Sequence, residues 1–252
     1  MNYINSDYLD EDYLSYISNK KVALVGPASY LNTLNIGKLI DSYDIVVRVN
    51  RGLDVISNYP ENVGTKTDIL YNCGIKKMDN GGDLNIEFYK SQGVKWISTI
   101  PYSDYNGNCH NNSLHSMVDK NFIDEAKANF NFHLMDWHNY SHINKHVKCR
   151  SNTGFAAIFD LLNHKPSELF ICGYSFYLDS FIKGYKDGCD RDEEEFAKQC
   201  FVSKRHVQPS QWGYLKKIFS KEKKLTADSV LSQILKMENF SREEFTQIIH
   251  TN

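Results

Sequence analysis

Four short runs carry residue types that can handle an anionic ligand or move a proton. The first is Cys149-Arg150-Ser151-Asn152-Thr153-Gly154, followed by an apolar stretch to Leu162. Ser151 or Thr153 can cap a helix that opens here, and Gly154 lets a ligand approach closely. The free amides of such an opening attract phosphate, although a plain capped helix explains the run more simply. The second is Gly26-Pro27-Ala28-Ser29, placed directly after the apolar run Val22 to Val25. The third is Asn50-Arg51-Gly52, at the end of a further apolar run from Ile45. The fourth is Gly173-Tyr174, where the apolar run through Cys172 ends. In a parallel sheet ligands bind beyond the carboxyl ends of the strands, so the strand-end runs should share one crevice. Downstream, His206 follows Lys204-Arg205. Its ring titrates near neutrality, as a proton acceptor requires, but a surface histidine beside two cations would read the same way.

Metal chemistry has weaker support. His138, His142 and His146 stand four apart, one face of a helix, with Asp136 nearby. There is no H-E-x-x-H, and Tyr140 to Lys148 reads equally as a loop leading into a strand, so no metal is expected. Asp190-Arg191-Asp192 matches the D-x-D of metal-dependent glycosyltransferases, yet it lies in an acidic run, where a solvated loop or helix start is the simpler reading. Asp10-Glu11-Asp12 matches the same pattern. Of the dinucleotide fingerprint G-x-G-x-x-G only Gly26 is present, which disfavours an oxidoreductase or methyltransferase.

The elements that must position these groups follow from the apolar runs. Val22 to Val25, Ile45 to Val49, Thr67 to Asn72, Val94 to Ile100 and the run from Leu169 to Cys172 read as strands, with helical segments between them. That alternation describes an α/β chain with a mostly parallel central sheet flanked by helices. Residues 1–19 read as a short helix against the sheet or a partly ordered tail. Residues 102–120 form a long polar loop, suited to an acceptor or to an ordinary insertion. Thr226 to Ile249 reads as an amphipathic helical pair, begun by Thr226-Ala227-Asp228.

Composition narrows the classes. The chain has 252 residues and a formal charge of −2, so nothing global favours nucleic acid. One domain is the natural expectation: a 1–19 extension, a core over 20–215 and C-terminal helices over 216–252. No apolar run is long enough to span a membrane, and the N-terminus lacks a signal-peptide core. Six cysteines are scattered without a C-x-x-C pair, which suits reduced thiols. The expectation is a cytoplasmic protein, with peripheral membrane contact left open.

The motifs together resemble those of the sialyltransferases, glycosyltransferases of family 29 that use CMP-activated sugars. The large motif corresponds to Val25-Gly26, Asn35-Ile36-Gly37, Ile40-Asp41-Ser42-Tyr43-Asp44, Arg48-Val49-Asn50 and Arg51. The small motif corresponds to Ser151-x-Thr153-Gly154, the apolar helix, and the strand ending at Gly173-Tyr174. The last motif, a His followed five positions later by Glu, corresponds to His206 with Gln211 in place of Glu. Gly26-Pro27-Ala28 replaces the usual Gly-Asn-Ser. The positions matching the disulfide of secreted members are Val22 and the region of His164, so that bond is absent.

The resemblance implies a single Rossmann-like domain of the variant GT-A kind. It implies an inverting, metal-independent transfer of sialic acid, or a related acidic sugar, from a CMP-sugar donor to a hydroxyl of a glycan acceptor, without a cofactor. His206 would be the base. The donor would be held by Gly26, Ala28, Ser29, Asn50, Arg51, Ser151, Asn152, Thr153, Gly154, Gly173 and Tyr174, with Asn50 and Ser29 on ribose or phosphate and Arg48 structural. Tyr177 and Tyr185 are candidates for a phosphate contact. The alternatives are a metal-dependent UDP-sugar enzyme using Asp190 and Asp192, and a non-catalytic module that binds sugar nucleotides or glycans.

Overall fold

The computed structural model describes residues 9–76, 81–101, 120–189 and 192–251. Seven strands form one sheet in which every pairing is parallel: β1 (Lys21–Val25), β2 (Ile45–Val49), β3 (Ile69–Tyr71), β4 (Trp96–Thr99), β5 (Asn131–Leu134), β6 (Glu168–Cys172) and β7 (Leu225–Ala227). Their order is β5-β4-β3-β2-β1-β6-β7. The chain steps outward from β1 to β5, then returns to lay β6 on the other side of β1. The order reverses at β1 and β6, which is where an open α/β sheet leaves a crevice. Val25 pairs with Arg48 on one side and with Cys172 on the other. The turns after β1, β2 and β6 therefore open at one level.

The central strands are apolar throughout because helices cover both faces; β1, β2 and β6 are buried almost end to end. The polar exception is Arg48 in β2, 1% exposed. Its Nε donates to Thr67 Oγ1 at 2.9 Å, and Nη2 to the carbonyls of Val63 at 2.9 Å and Lys66 at 3.1 Å. Desolvation lowers its pKa to about 10, so it stays charged and pins the 63–67 turn. Arg48 is structural, as expected.

The helices are α1 (Glu11–Ile17), α2 (Gly37–Asp41), α3 (Pro60–Val63), α4 (Ile86–Ser91), α5 (Lys120–Asn129), α6 (Trp137–Val147), α7 (Thr153–Asn163), α8 (Glu193–Val202), α9 (Gln208–Phe219), α10 (Ser229–Ile234) and α11 (Arg242–Thr251). Helix α1 buries Tyr13 and Ile17 against the sheet. One open reading is decided and one expectation is corrected. Of the two readings of Tyr140 to Lys148, the helix holds: the stretch belongs to α6 and its cap, because the Asp136 side chain caps α6 through the amides of His138 and Asn139. Thr226 and Ala227 extend the sheet as β7 rather than opening a helix; Asp228 is the cap of α10. The polar loop of residues 102–119 and the pair Asp190-Arg191 lie outside the described residues.

One buried polar network ties α1, the sheet and α7 together. His133 of β5 donates from Nδ1 to Asp10 and from Nε2 to Asp160, each at 3.0 Å. Tyr71 donates to Asp160 at 2.8 Å, and Tyr13 to Tyr71 at 3.1 Å. Burial alone would lower the His133 pKa, but the Asp160 charge and the two carboxylate bonds outweigh it and raise the value to about 9. Among the described residues no helix is long and apolar enough to cross a membrane.

Candidate active site

A cleft of about 560 Å³ opens beyond the carboxyl ends of β1, β2 and β6. Its base is set by two glycines. A Cβ on Gly26 would lie 2.4 Å from the Gly173 carbonyl oxygen, and one on Gly173, where φ is +72°, would lie 2.5 Å from that of Gly26. Only glycine permits this contact. Gly173 lines the cleft and Gly26 packs behind it. Ala28 lines it too, its amide donating to Gly173 O at 3.0 Å.

Helix α7 points its N-terminus at the cleft. The cap is Asn152, which accepts from the Phe155 amide at 2.8 Å, and not Ser151 or Thr153. Ser151 is fixed by its backbone: its amide donates to Asn144 Oδ1 at 2.8 Å and its carbonyl accepts from Tyr140 at 2.8 Å. Its buried Oγ has no hydrogen-bond partner. The first amides of a helix lack intrahelical acceptors, so Thr153 and Gly154 present N–H groups beside that hydroxyl. Gly154 leaves room for Tyr174, whose OH donates to its carbonyl at 3.2 Å.

On the opposite side Asn50 ends β2 with φ at +48°, its Oδ1 accepting from the Cys73 amide at 3.0 Å. Past Gly173, Phe176 and Tyr177 line the cleft with φ of +52° and +58°. Two adjacent bulky residues in the left-handed region store strain, which concentrates at functional sites. Next come Phe181, Tyr185 and Phe196, with the Lys186 ammonium 4.1 Å from the Phe196 ring centroid.

His206 lines the cleft just before α9. Its Nδ1 donates to the Arg150 carbonyl at 2.7 Å, so the neutral ring carries its lone pair on Nε2. Desolvation lowers its pKa to about 4, with Arg150 and Arg205 adding to the effect against the Arg150 carbonyl. Gln208 Nε2 holds the His206 carbonyl at 2.5 Å. Gln211 is fully buried, with both side-chain polar atoms unpartnered; it is Arg150 and Gln208, not Gln211, that bond to His206.

Eleven of the sequence candidates thus share one cleft: Ala28, Asn50, Ser151, Asn152, Thr153, Gly154, Gly173, Tyr174, Tyr177, Tyr185 and His206. Gly26, Ser29 and Arg51 are not on its lining. The Ser29 hydroxyl donates to Asp179 at 2.8 Å. Arg51 is paired with Asp54 at 2.7 Å and the Asp187 carbonyl at 2.7 Å. Arg150, Lys186 and Arg205, which also line the cleft, are not among the donor contacts expected from the sequence. Arg150 had a signal, standing next to the Ser-x-Thr-Gly run; Lys186 had only its aromatic neighbours.

The metal candidates are placed elsewhere. Asp192 caps α8 through the Glu195 amide. Asp10 caps α1 and accepts from His133. His146 donates to the His142 carbonyl. Among the described residues, the group within ligating reach of one another is His133, Asp160 and His164. None of these lines the cleft, and both His133 ring nitrogens are bonded to carboxylates.

Residues 6–159 match the family described as glycosyltransferase family 29 (sialyltransferase). No curated protein sequence matches the chain. Several solved structures share its fold, among them three sialyltransferases. A mammalian sialyltransferase in complex with Gal-beta-1-3GalNAc-ortho-nitrophenol is 16% identical, with a TM-score of 0.50 over 85% of this chain and 71% of that one. The Campylobacter jejuni sialyltransferase CstII in complex with CMP-3FNeuAc is 16% identical, with a TM-score of 0.50 over 82% and 81%. The monofunctional alpha-2,3-sialyltransferase Cst-I of Campylobacter jejuni is 14% identical, with a TM-score of 0.51 over 83% and 75%.

Proposed function

Because this chain belongs to glycosyltransferase family 29, we propose that its cleft binds a CMP-sugar and passes sialic acid, or a related acidic sugar, to a hydroxyl of a glycan with inversion and without a metal. The observation that carries the reading is the buried, unpartnered Ser151 Oγ at the open N-terminus of α7. Such a donor set waits for an anion. A CMP-sialic acid donor brings two negative charges, on its phosphodiester and its carboxylate. Arg150, Lys186 and Arg205 in the cleft wall balance them. CstII is seen in complex with a substrate analogue, CMP-3FNeuAc.

In the reaction the acceptor oxygen attacks the anomeric carbon as its proton passes to His206 Nε2. The bond from that carbon to the phosphate oxygen breaks, and its electron pair leaves on CMP. The α7 amides and the Ser151 hydroxyl stabilise that departing charge, so a divalent cation is not needed for it. In this reading Asn50, Gly173 and Tyr174, which line the cleft, take the nucleoside.

Calorimetry with CMP, UDP and NAD, in EDTA, tests this reading. CMP alone should bind, Ser151→Ala should weaken it, and His206→Ala should retain CMP binding while abolishing transfer. Binding of UDP restored by manganese, with CMP silent, would transfer the argument to a metal-dependent enzyme. CMP binding without any turnover would leave a non-catalytic module.

A further inference from the structure

A single buried carboxylate outside the cleft joins its own helix to two distant parts of the chain. Asp228 caps α10, its Oδ1 accepting from the Leu231 amide at 2.8 Å. Its Oδ2 accepts twice, from the Tyr30 hydroxyl at 2.8 Å and from the Gly173 amide at 3.0 Å. The same Tyr30 oxygen accepts from the Tyr174 amide at 3.0 Å. Both groups are nearly inaccessible, Asp228 at 5% and Tyr30 at 3% exposed. The first two amides of the cleft-lining turn after β6 are therefore held by one unit, Gly173 directly and Tyr174 through Tyr30. Tyr174 passes the constraint on, since its OH bonds to Gly154 in the first turn of α7.

We propose that Asp228 and Tyr30 are positioning residues of the donor site, fixing Gly173, Tyr174 and, through Tyr174, the α7 N-terminus. This rests on the reading of the cleft as a CMP-sugar site. Asp228 lies beyond the residues that match the family, and nothing in its local sequence distinguishes it from a plain helix cap. A cap needs one acceptor. This carboxylate serves three donors with two oxygens, which an asparagine cannot do: its NH₂ would face a Leu231, Tyr30 or Gly173 hydrogen. Tyr30 is equally specific. Its O–H must point at Asp228 for its lone pair to meet the Tyr174 amide.

The test is calorimetric titration of CMP into wild type, Asp228→Asn, Tyr30→Phe and the double variant. Tyr43→Phe serves as control. That residue also donates to a carboxylate, Glu168 at 2.9 Å, but at the opposite end of the sheet. Mere loss of folded protein lowers the binding stoichiometry and leaves Kd unchanged. Mispositioning raises Kd at full stoichiometry. Asp228→Asn and Tyr30→Phe should each raise the CMP Kd about tenfold, the equivalent of roughly one net hydrogen bond. The double variant should be no worse than the weaker single one, because both act through one unit. Tyr43→Phe should stay within about twofold of wild type. A Kd within twofold of wild type for the folded fraction of Asp228→Asn and Tyr30→Phe, or an equal rise in Tyr43→Phe, overturns the proposal. A wild-type chain that does not bind CMP overturns the donor reading itself, and this assignment with it.

Discussion

His206 is kept neutral by its surroundings before any substrate arrives. Desolvation, with Arg150 and Arg205 beside it, holds its pKa at about 4, which leaves Nε2 able to accept a proton over the whole neutral range. So low a value also makes it a weak base. In the proposed complex the donor's two anionic groups oppose the two arginines, so binding should raise the basicity of His206. NMR titration of the His206 ring should give a midpoint near 4 in the free protein and a higher one with CMP bound; an unchanged midpoint would show that the phosphate does not sense this ring. The same shift affects stability. An unfolded histidine titrates near about 6.5, so the unfolded chain takes the proton first as the pH falls. The His206 contribution is intact above that pH and lost progressively toward about 4. At this scale the sequence marked polar residues at the strand ends but not how each is partnered. Ser29 and Arg51 stand beside good candidates, yet their partners, Asp179 and Asp187, are more than a hundred positions away.

At the scale of elements, α7 does two jobs with one end. Asn152 caps it with a neutral oxygen while the remaining amides face the cleft. The two jobs can be separated. Asn152→Asp caps at least as well and suits the positive end of the helix dipole, so thermal stability should hold. It also places a carboxylate beside the proposed phosphate position, and CMP affinity should fall about tenfold or more. Calorimetry paired with a thermal melt separates these effects; equal CMP affinity in the variant would mean the phosphate lies elsewhere. The central strands were legible because a strand covered on both faces is a continuous apolar run. The outermost strands were not. Asn131–Leu134 and Leu225–Ala227 are short, partly exposed and polar enough to merge with their neighbours. The histidine-rich α6 was ambiguous for a similar reason, and its Asp136 cap is what settles it.

Across the whole molecule, the parallel sheet could be read from the sequence but its order could not, since no local pattern says that β6 returns to the side of β1. The His133 network was equally hidden, its members running from Asp10 to His164 and meeting only after the sheet forms. Its pKa of about 9 means that the folded state holds the proton more tightly than the unfolded one. That stabilisation is fully present below about pH 6.5 and is lost as the pH rises through about 9. Replacing His133 with Gln strands Asp10 and Asp160 without their cation. It should cost about 3 kcal/mol at neutral pH and flatten the alkaline fall in stability, read by denaturant unfolding across pH. An unaltered alkaline limb would assign that loss to another group.

The position of β6 also has a consequence in time. A ribosome delivers β1 through β5 in their spatial order, so these five of the seven strands can assemble as they emerge. One flank of Val22-Ala23-Leu24-Val25 then waits, with its amides and carbonyls unpaired, until Cys172 has been made. An unpaired apolar edge is the part of a nascent chain most prone to stick to another. The two halves of the cleft meet only when that wait ends, so the late-made strand that completes the cleft also covers this exposed edge.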